Sequence, residues 1–173
     1  SRTPVREAIR KLELEGLVVM LPRKGAYVAN ISVKDLMDVL EIRASLEGLG
    51  ASLAAERRND EDIKNLEELE VEFEEAVRTQ NIDMLLKKDI EFHECIFKAA
   101  NNKKLEKMIN TLWEQVQRFR ITYVSDSNAS LSLIDEHQSI LNAIKEGNIA
   151  DSKKFAIKHI EKAEQFMLEH CTK

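Results

Sequence analysis

From residue 32 onward apolar positions recur every three to four residues, the spacing of helices that bury one face. Breaks fall where Asn, Asp, Gly or Ser cluster. They divide this stretch into six predicted helices: Ser32 to about Arg57, Asp60 to about Thr79, Asn81 to Asn101–Asn102, Lys103 to Val124, roughly 131–146, and Ile149 to Glu169. Ser32 with Asp35 has the form of a capping box, Gly147 is placed to stop the fifth helix, and "SDSNAS" ahead of it reads as a loop. The first thirty residues follow another pattern. "SRTPVREAIRKLELEGLV" carries Val5, Ala8, Ile9 and Leu12 at helical spacing, with Ser1 or Thr3 as candidate cap, Pro4 in the first turn and Gly16 as stop. "LVVMLPRKGAYVAN" then switches to two short β-rich runs about a Pro-Arg-Lys-Gly turn, a hairpin with a basic tip. The expected fold class is mainly α: one helix plus a β-hairpin over 1–30, then a six-helix antiparallel bundle over 31–173.

Charge changes this picture more than composition does. Arg2, Arg6, Arg10, Lys11, Arg23 and Lys24 face Glu7, Glu13 and Glu15 within residues 1–30, a net of +3 that leaves −8 for the rest of a chain totalling −5. An acidic protein with one basic end suggests an anionic partner at that end, nucleic acid first. Arg10 and Lys11, farther along the helix, have an equal claim to solvent-facing pairs with Glu7 or Glu15. No apolar run approaches the roughly 18 residues of a membrane span, so no membrane partner and a cytoplasmic location are expected. Cys95 and Cys171 lack CxxC spacing and receive no role.

Four polar residues fall on apolar stripes. In "DIEFHECIF", Asp89 and His93 stand one turn apart on the face of Leu85, Leu86, Ile96 and Phe97; His137 lies among Leu133, Ile134, Ile140, Leu141 and Ile144; His159 shares a face with Phe155, Ala156, Ala163 and Phe166. A lone inward histidine is commonly a hydrogen-bonded core residue. Three imidazoles and a carboxylate on one bundle suit a divalent ion such as zinc, nickel or manganese, with coordination positions left for water or a ligand carboxylate. A metal-free hydrogen-bonded core is the alternative.

"SRTPVREAIRKLELEGLV" followed by "PRKGAYVA" resembles the second half of the winged helix-turn-helix of the GntR family of bacterial transcription regulators. The resemblance implies that the helix enters the major groove of double-stranded operator DNA and that the hairpin is the wing. The family's domain has two helices before this one, so the chain is expected to be part of a longer protein. The implied DNA-binding residues are Arg2, Thr3 and Arg6 at the helix start, Arg23 and Lys24 on the wing, and Gly25, which lets the wing approach. Arginine at a helix start can grip guanine with two hydrogen bonds, whereas Thr3, Arg23 and Lys24 are suited to phosphates.

"LEIRASLEGLGASLAA", "DIEFHECIF", "DEHQSILNAIKEGN" and "KHI" look like the all-helical effector domain of that family's FadR branch. Members of that branch bind a metal through an Asp-x3-His and two later histidines and sense a small organic acid; Asp89, His93, His137 and His159 match this set. A buried acid needs a cation. Arg43 lies on the stripe of Leu36, Val39, Leu40 and Leu46, with Glu47 one turn on as a plain salt-bridge partner. Arg120 lies on that of Trp113, Val116 and Tyr123, while Arg118 points to the polar side. Arg43 and Arg120 are the candidate effector contacts, and structural salt bridges are the competing role. Trp113 and Tyr123 are expected in the core, and His170 is left out.

The expected protein is therefore no enzyme but a ligand-responsive repressor, a homodimer on palindromic operator DNA that responds to a small carboxylate effector. A metal-dependent hydrolytic enzyme of helical-bundle type would need an inward carboxylate as base, and Glu94 and Glu136 are expected to face elsewhere. A purely structural metal site is the third reading.

Overall fold

The computed structural model describes residues 2–28 and 32–171, without the side chains of Arg2, Arg118 and Cys171. Among the described residues the first helix, α1, covers Arg2–Leu14, and Gly16 turns the chain with φ +76°. Strands β1 (Val18–Leu21) and β2 (Gly25–Val28) pair antiparallel, Val18 opposite Val28 and Leu21 opposite Gly25. Arg23 and Gly25 take positive φ in the connection, the conformation that closes so short a turn. Val5, Leu14, Val19, Tyr27 and Val28 are all exposed. A helix and hairpin that bury so little cannot fold by themselves.

Six helices follow: α2 (Val33–Arg57), α3 (Asp60–Arg78), α4 (Ile82–Ala99), α5 (Lys103–Ser125), α6 (Ser127–Glu146) and α7 (Ile149–Cys171). Their starts are set by side-chain caps. Ser32 and Asp35 form the expected capping box, Asn59 and Asp62 form a second, and Asn81 and Asn102 accept from Met84 and Leu105 backbone N–H groups. Gly147, left-handed at φ +72°, ends α6. One boundary differs from expectation. "SDSNAS" is no loop: Asp126 accepts from the backbone N–H of Asn128 and Ala129, so α6 starts at Ser127 and the α5–α6 connection is that single cap residue.

The bundle core is layered. Leu36, Leu40, Phe73, Leu85, Val116, Leu133 and Ile160 belong to one buried apolar cluster, and Ala51, Ala54, Leu66, Phe92, Ile96, Ile140, Ile144 and Ala156 to another. Positions 43 and 47 of α2, 70 of α3, 89 and 93 of α4, 137 of α6 and 159 of α7 fall between them, and every one is a buried polar residue. The layers close tightly because α2 carries glycines where neighbours approach. A Cβ on Gly48 would meet Ile157 at 2.6 Å, and one on Gly50 would meet the Phe97 ring at 2.8 Å.

Gly50→Ala tests this packing. Alanine gains about 1 kcal/mol of helix propensity, but displacing a buried phenyl ring costs more, so a net loss of about 1–2 kcal/mol is expected in denaturant unfolding.

Candidate functional site

Three imidazoles converge in the polar layer. One ring nitrogen each from His93, His137 and His159 lies within 4.8 Å of the other two, and all three residues are buried. Ring centroids are 5.0, 5.2 and 5.6 Å apart, a nearly equilateral triangle. The inner atoms are the Nε2 nitrogens: those of His93 and His159 are 3.2 Å apart, and Asp89 Oδ1 is 3.5 Å from Nε2 of His137 and 4.0 Å from that of His93.

Each outer nitrogen faces a carboxyl from a further helix. Nδ1 of His93 is 3.2 Å from Glu47 Oε2 on α2, Nδ1 of His159 is 2.9 Å from Glu136 Oε2 on α6, and Nδ1 of His137 is 3.6 Å from Glu70 Oε2 on α3. Of these three carboxyls, the sequence marked Glu47 only as a partner for Arg43 and Glu136 only as facing elsewhere, and it did not mark Glu70. The expectation that Glu136 faces away is wrong: it is buried, and it lies on the side of α6 that meets α7. Glu70 was legible, since it stands one turn from both Leu66 and Phe73 on the buried stripe of α3. Glu94 makes no contact with the three imidazoles.

The carboxyls fix the tautomers. A carboxylate only accepts, so Nδ1 of His93 and of His159 carries the proton, and a neutral imidazole has just one. Burial holds His93 neutral, pushing it down to about 4 against the opposing pull of Glu47. With both rings neutral, the two Nε2 atoms present lone pairs across 3.2 Å, two acceptors with no hydrogen between them. Two nitrogens bound to one tetrahedral ion at ~2.0–2.1 Å stand about 3.3 Å apart. Both ring nitrogens of His137 are buried without a hydrogen bond, although its ring is wedged between Phe92 and Phe73 at 4.3 and 4.7 Å. Orphaned buried nitrogens, converging lone pairs and a carboxylate edge fit a divalent ion, with the three histidines as the core of the donor set and Asp89 Oδ1 at its border.

The two arginines enter the same layer already partnered. Arg43 donates to Glu47 Oε1 at 3.0 Å, and the indole of Trp113 donates to that same oxygen at 3.1 Å. Arg120 donates through Nε to Asp89 Oδ2 and through a second nitrogen to the Asp89 carbonyl at 3.4 Å. The salt bridges weighed against an effector role are thus present. Burial works against charge on Asp89, but Arg120 outweighs it and holds the carboxyl well below the usual range; the hydrogen bonds from His93 and Arg43 do the same for buried Glu47. Arg43 and Arg120 also line, with Asp89, His93, His159 and Tyr123, a cavity of about 30 Å³. That is space for an ion or one to two waters. Tyr123 is buried in an apolar cluster as expected, whereas Trp113 combines packing on Phe97 with its bond to Glu47.

The residues expected to contact DNA lie outside this layer. Thr3 and Arg6 on α1, and Arg23, Lys24 and Gly25 in the turn, are all exposed, while Arg2 lies outside the described side chains. Cys95 is buried, its thiol pushed up to about 11 by burial, which makes it unreactive. His170 stacks on Phe166 at 4.0 Å near the end of α7, away from the polar layer. No helix among the described residues is long and apolar enough to cross a membrane.

Residues 38–162 match the FCD domain, and residues 1–28 match the bacterial regulatory proteins of the gntR family. The Uxu operon regulator of Haemophilus influenzae is 30% identical over 98% of this chain and 69% of its own length. The Nta operon transcriptional regulator of Aminobacter aminovorans is 29% identical over 98% of this chain and 79% of its own. The solved structure of E. coli McbR/YncC superposes with a TM-score of 0.85 at 21% identity, covering 96% of this chain and 84% of that one. An FCD match over most of the bundle, preceded by a partial helix-turn-helix match, places the chain in the GntR family of bacterial transcription regulators, which are not enzymes.

Proposed function

We propose that this chain acts in a cytoplasmic, homodimeric repressor that binds operator DNA through residues 1–30 and senses a small carboxylate at a divalent metal within residues 31–173. The pair of Nε2 lone pairs facing each other across 3.2 Å carries the metal reading, because neutral imidazoles locked by their outer carboxyls cannot hydrogen-bond there. His93, His137 and His159 would hold the ion, with Asp89 completing the set. When bound, the ion supplies a Lewis-acidic position that an acid's oxygens can occupy.

Arg43 and Arg120 support the sensing role. Both guanidinium groups border the cavity, and an incoming carboxylate would compete with Glu47 and Asp89 for them. A carboxylate that took Arg43 from Glu47 would loosen the hold of the polar layer on α2. Motion of α2 is the natural consequence, since it carries Arg43 and Glu47 and begins at the Ser32 cap just beyond the wing. An effector that prefers one position of α2 thereby shifts the arrangement of two DNA readers in a dimer. A purely structural ion is the second reading, favoured by the fact that both arginines already have partners.

At the DNA end, Arg6 and the wing residues Arg23 and Lys24 are exposed and basic, as groove and phosphate contacts require. Operator DNA selected from a random pool by the full-length protein should lose affinity ~10- to 100-fold with Arg6→Ala, with preference relaxed at one base pair; equal affinity would remove Arg6 from the interface. His159→Gln should abolish metal uptake measured by plasma mass spectrometry and leave helical circular dichroism intact. It should also abolish the release of that DNA caused in wild type by one of a panel of small hydroxy- and dicarboxylic acids. Release that survives loss of the metal would refute the platform role, and a metal-loaded wild type deaf to every acid would favour the structural ion. Arg120→Met strands Asp89 in the core, and about 3–5 kcal/mol of metal-free stability should be lost in urea unfolding.

A further inference from the structure

We propose that Glu70 is the positioning residue of this metal centre, holding the Nε2 lone pair of His137 toward the ion as the one carboxyl of the layer that, among the described residues, no arginine, lysine or hydroxyl engages. The inference rests on the metal reading above. Four carboxyls surround the histidines. Asp89 is bound by Arg120, Glu47 by Arg43 and Trp113, and Glu136 by Lys162 at 2.7 Å and by Ser132 at 3.1 Å. Glu70 is as deeply buried, yet neither of its oxygens has a hydrogen bond, and its one ion-pair partner among the described residues is Nδ1 of His137 at 3.6 Å.

Position 70 has no structural need of a carboxyl. Leu66 and Phe73 flank it on the buried stripe of α3, and both are fully buried. A leucine would continue that stripe, whereas an acid there costs folding stability because water cannot reach it and no arginine or lysine offsets it. Its single point of action is His137, whose ring is completely buried and sandwiched between Phe73 and Phe92. With Nε2 coordinating a divalent ion, the Nδ1–H of that ring becomes a stronger donor, and Glu70 receives both its hydrogen bond and its positive charge. Glu70 thus weakens the metal-free bundle and strengthens the loaded one.

These opposite signs make the test. The chelator-stripped full chain is titrated with zinc(II) and nickel(II) against a chromophoric chelator, and metal-free melting is recorded for wild type and Glu70→Gln. E70Q should bind each ion ~10- to 100-fold more weakly than wild type while melting, metal-free, at the same temperature or higher. Nitrogen NMR of zinc-loaded wild type should place the His137 proton on Nδ1. The inference is overturned by an E70Q protein that binds as tightly as wild type, by one that melts lower or fails to fold without metal, or by a proton found on Nε2. Wild type that takes up neither ion would instead bring down the metal reading itself.

Discussion

Everything distinctive in this bundle depends on how its polar layer is satisfied. Three imidazoles and four carboxyls lie between two apolar clusters with almost no access to water. Each such group must find a partner or cost stability, and the layer does this in pairs: Arg43 with Glu47, Arg120 with Asp89, Lys162 with Glu136. The same carboxyls that take cations on one oxygen take an imidazole nitrogen on the other. That double engagement of Glu47 and Glu136 forces protons to the outside of the triangle and lone pairs to its inside. If an ion binds there as proposed, its site is specified from without, by second partners that orient the ligands.

The layer also explains why all six bundle helices are needed. Glu47, Glu70, the Asp89–His93 pair, Arg120, His137 and His159 come from α2 through α7 in order, so every bundle helix contributes to the layer. Glu47 connects the site to the helix that starts beyond the wing, and Arg120 and Trp113 connect it to α5. A change in what the layer holds is therefore felt first in α2 and α5, through side chains too tightly packed to move independently. The proposed effector response needs no longer route than this to reach residues 1–30.

Much of this was legible in the sequence, for specific reasons. Helix boundaries followed from side chains whose chemistry is local: Ser32, Asn81 and Gly147 act within one turn of themselves. "SDSNAS" misled because Ser, Asp and Asn favour both loops and helix starts, and the cap at Asp126 leaves nothing between two helices. The three histidines and Asp89 stood out because each breaks an apolar stripe, and the structure brings the three rings together. Glu70 breaks its stripe in the same way and escaped notice only because α3 is crowded with glutamates. Glu136 sits at the margin of its stripe, and only the approach of α7 puts it inside. The pairing of each outer nitrogen with its carboxyl depends on helix packing, which no single helix's periodicity contains.

The central claim is that the inward lone pairs of His93, His137 and His159 are there for an ion. Anomalous diffraction from crystals of the purified protein, recorded above and below the zinc, nickel and manganese absorption edges, tests it most directly. The account predicts one strong peak inside the triangle, about 2.1 Å from each Nε2 and near Asp89 Oδ1. Electron density with no anomalous peak there, and with the Nε2 atoms of His93 and His159 joined by an ordinary hydrogen bond, would contradict it.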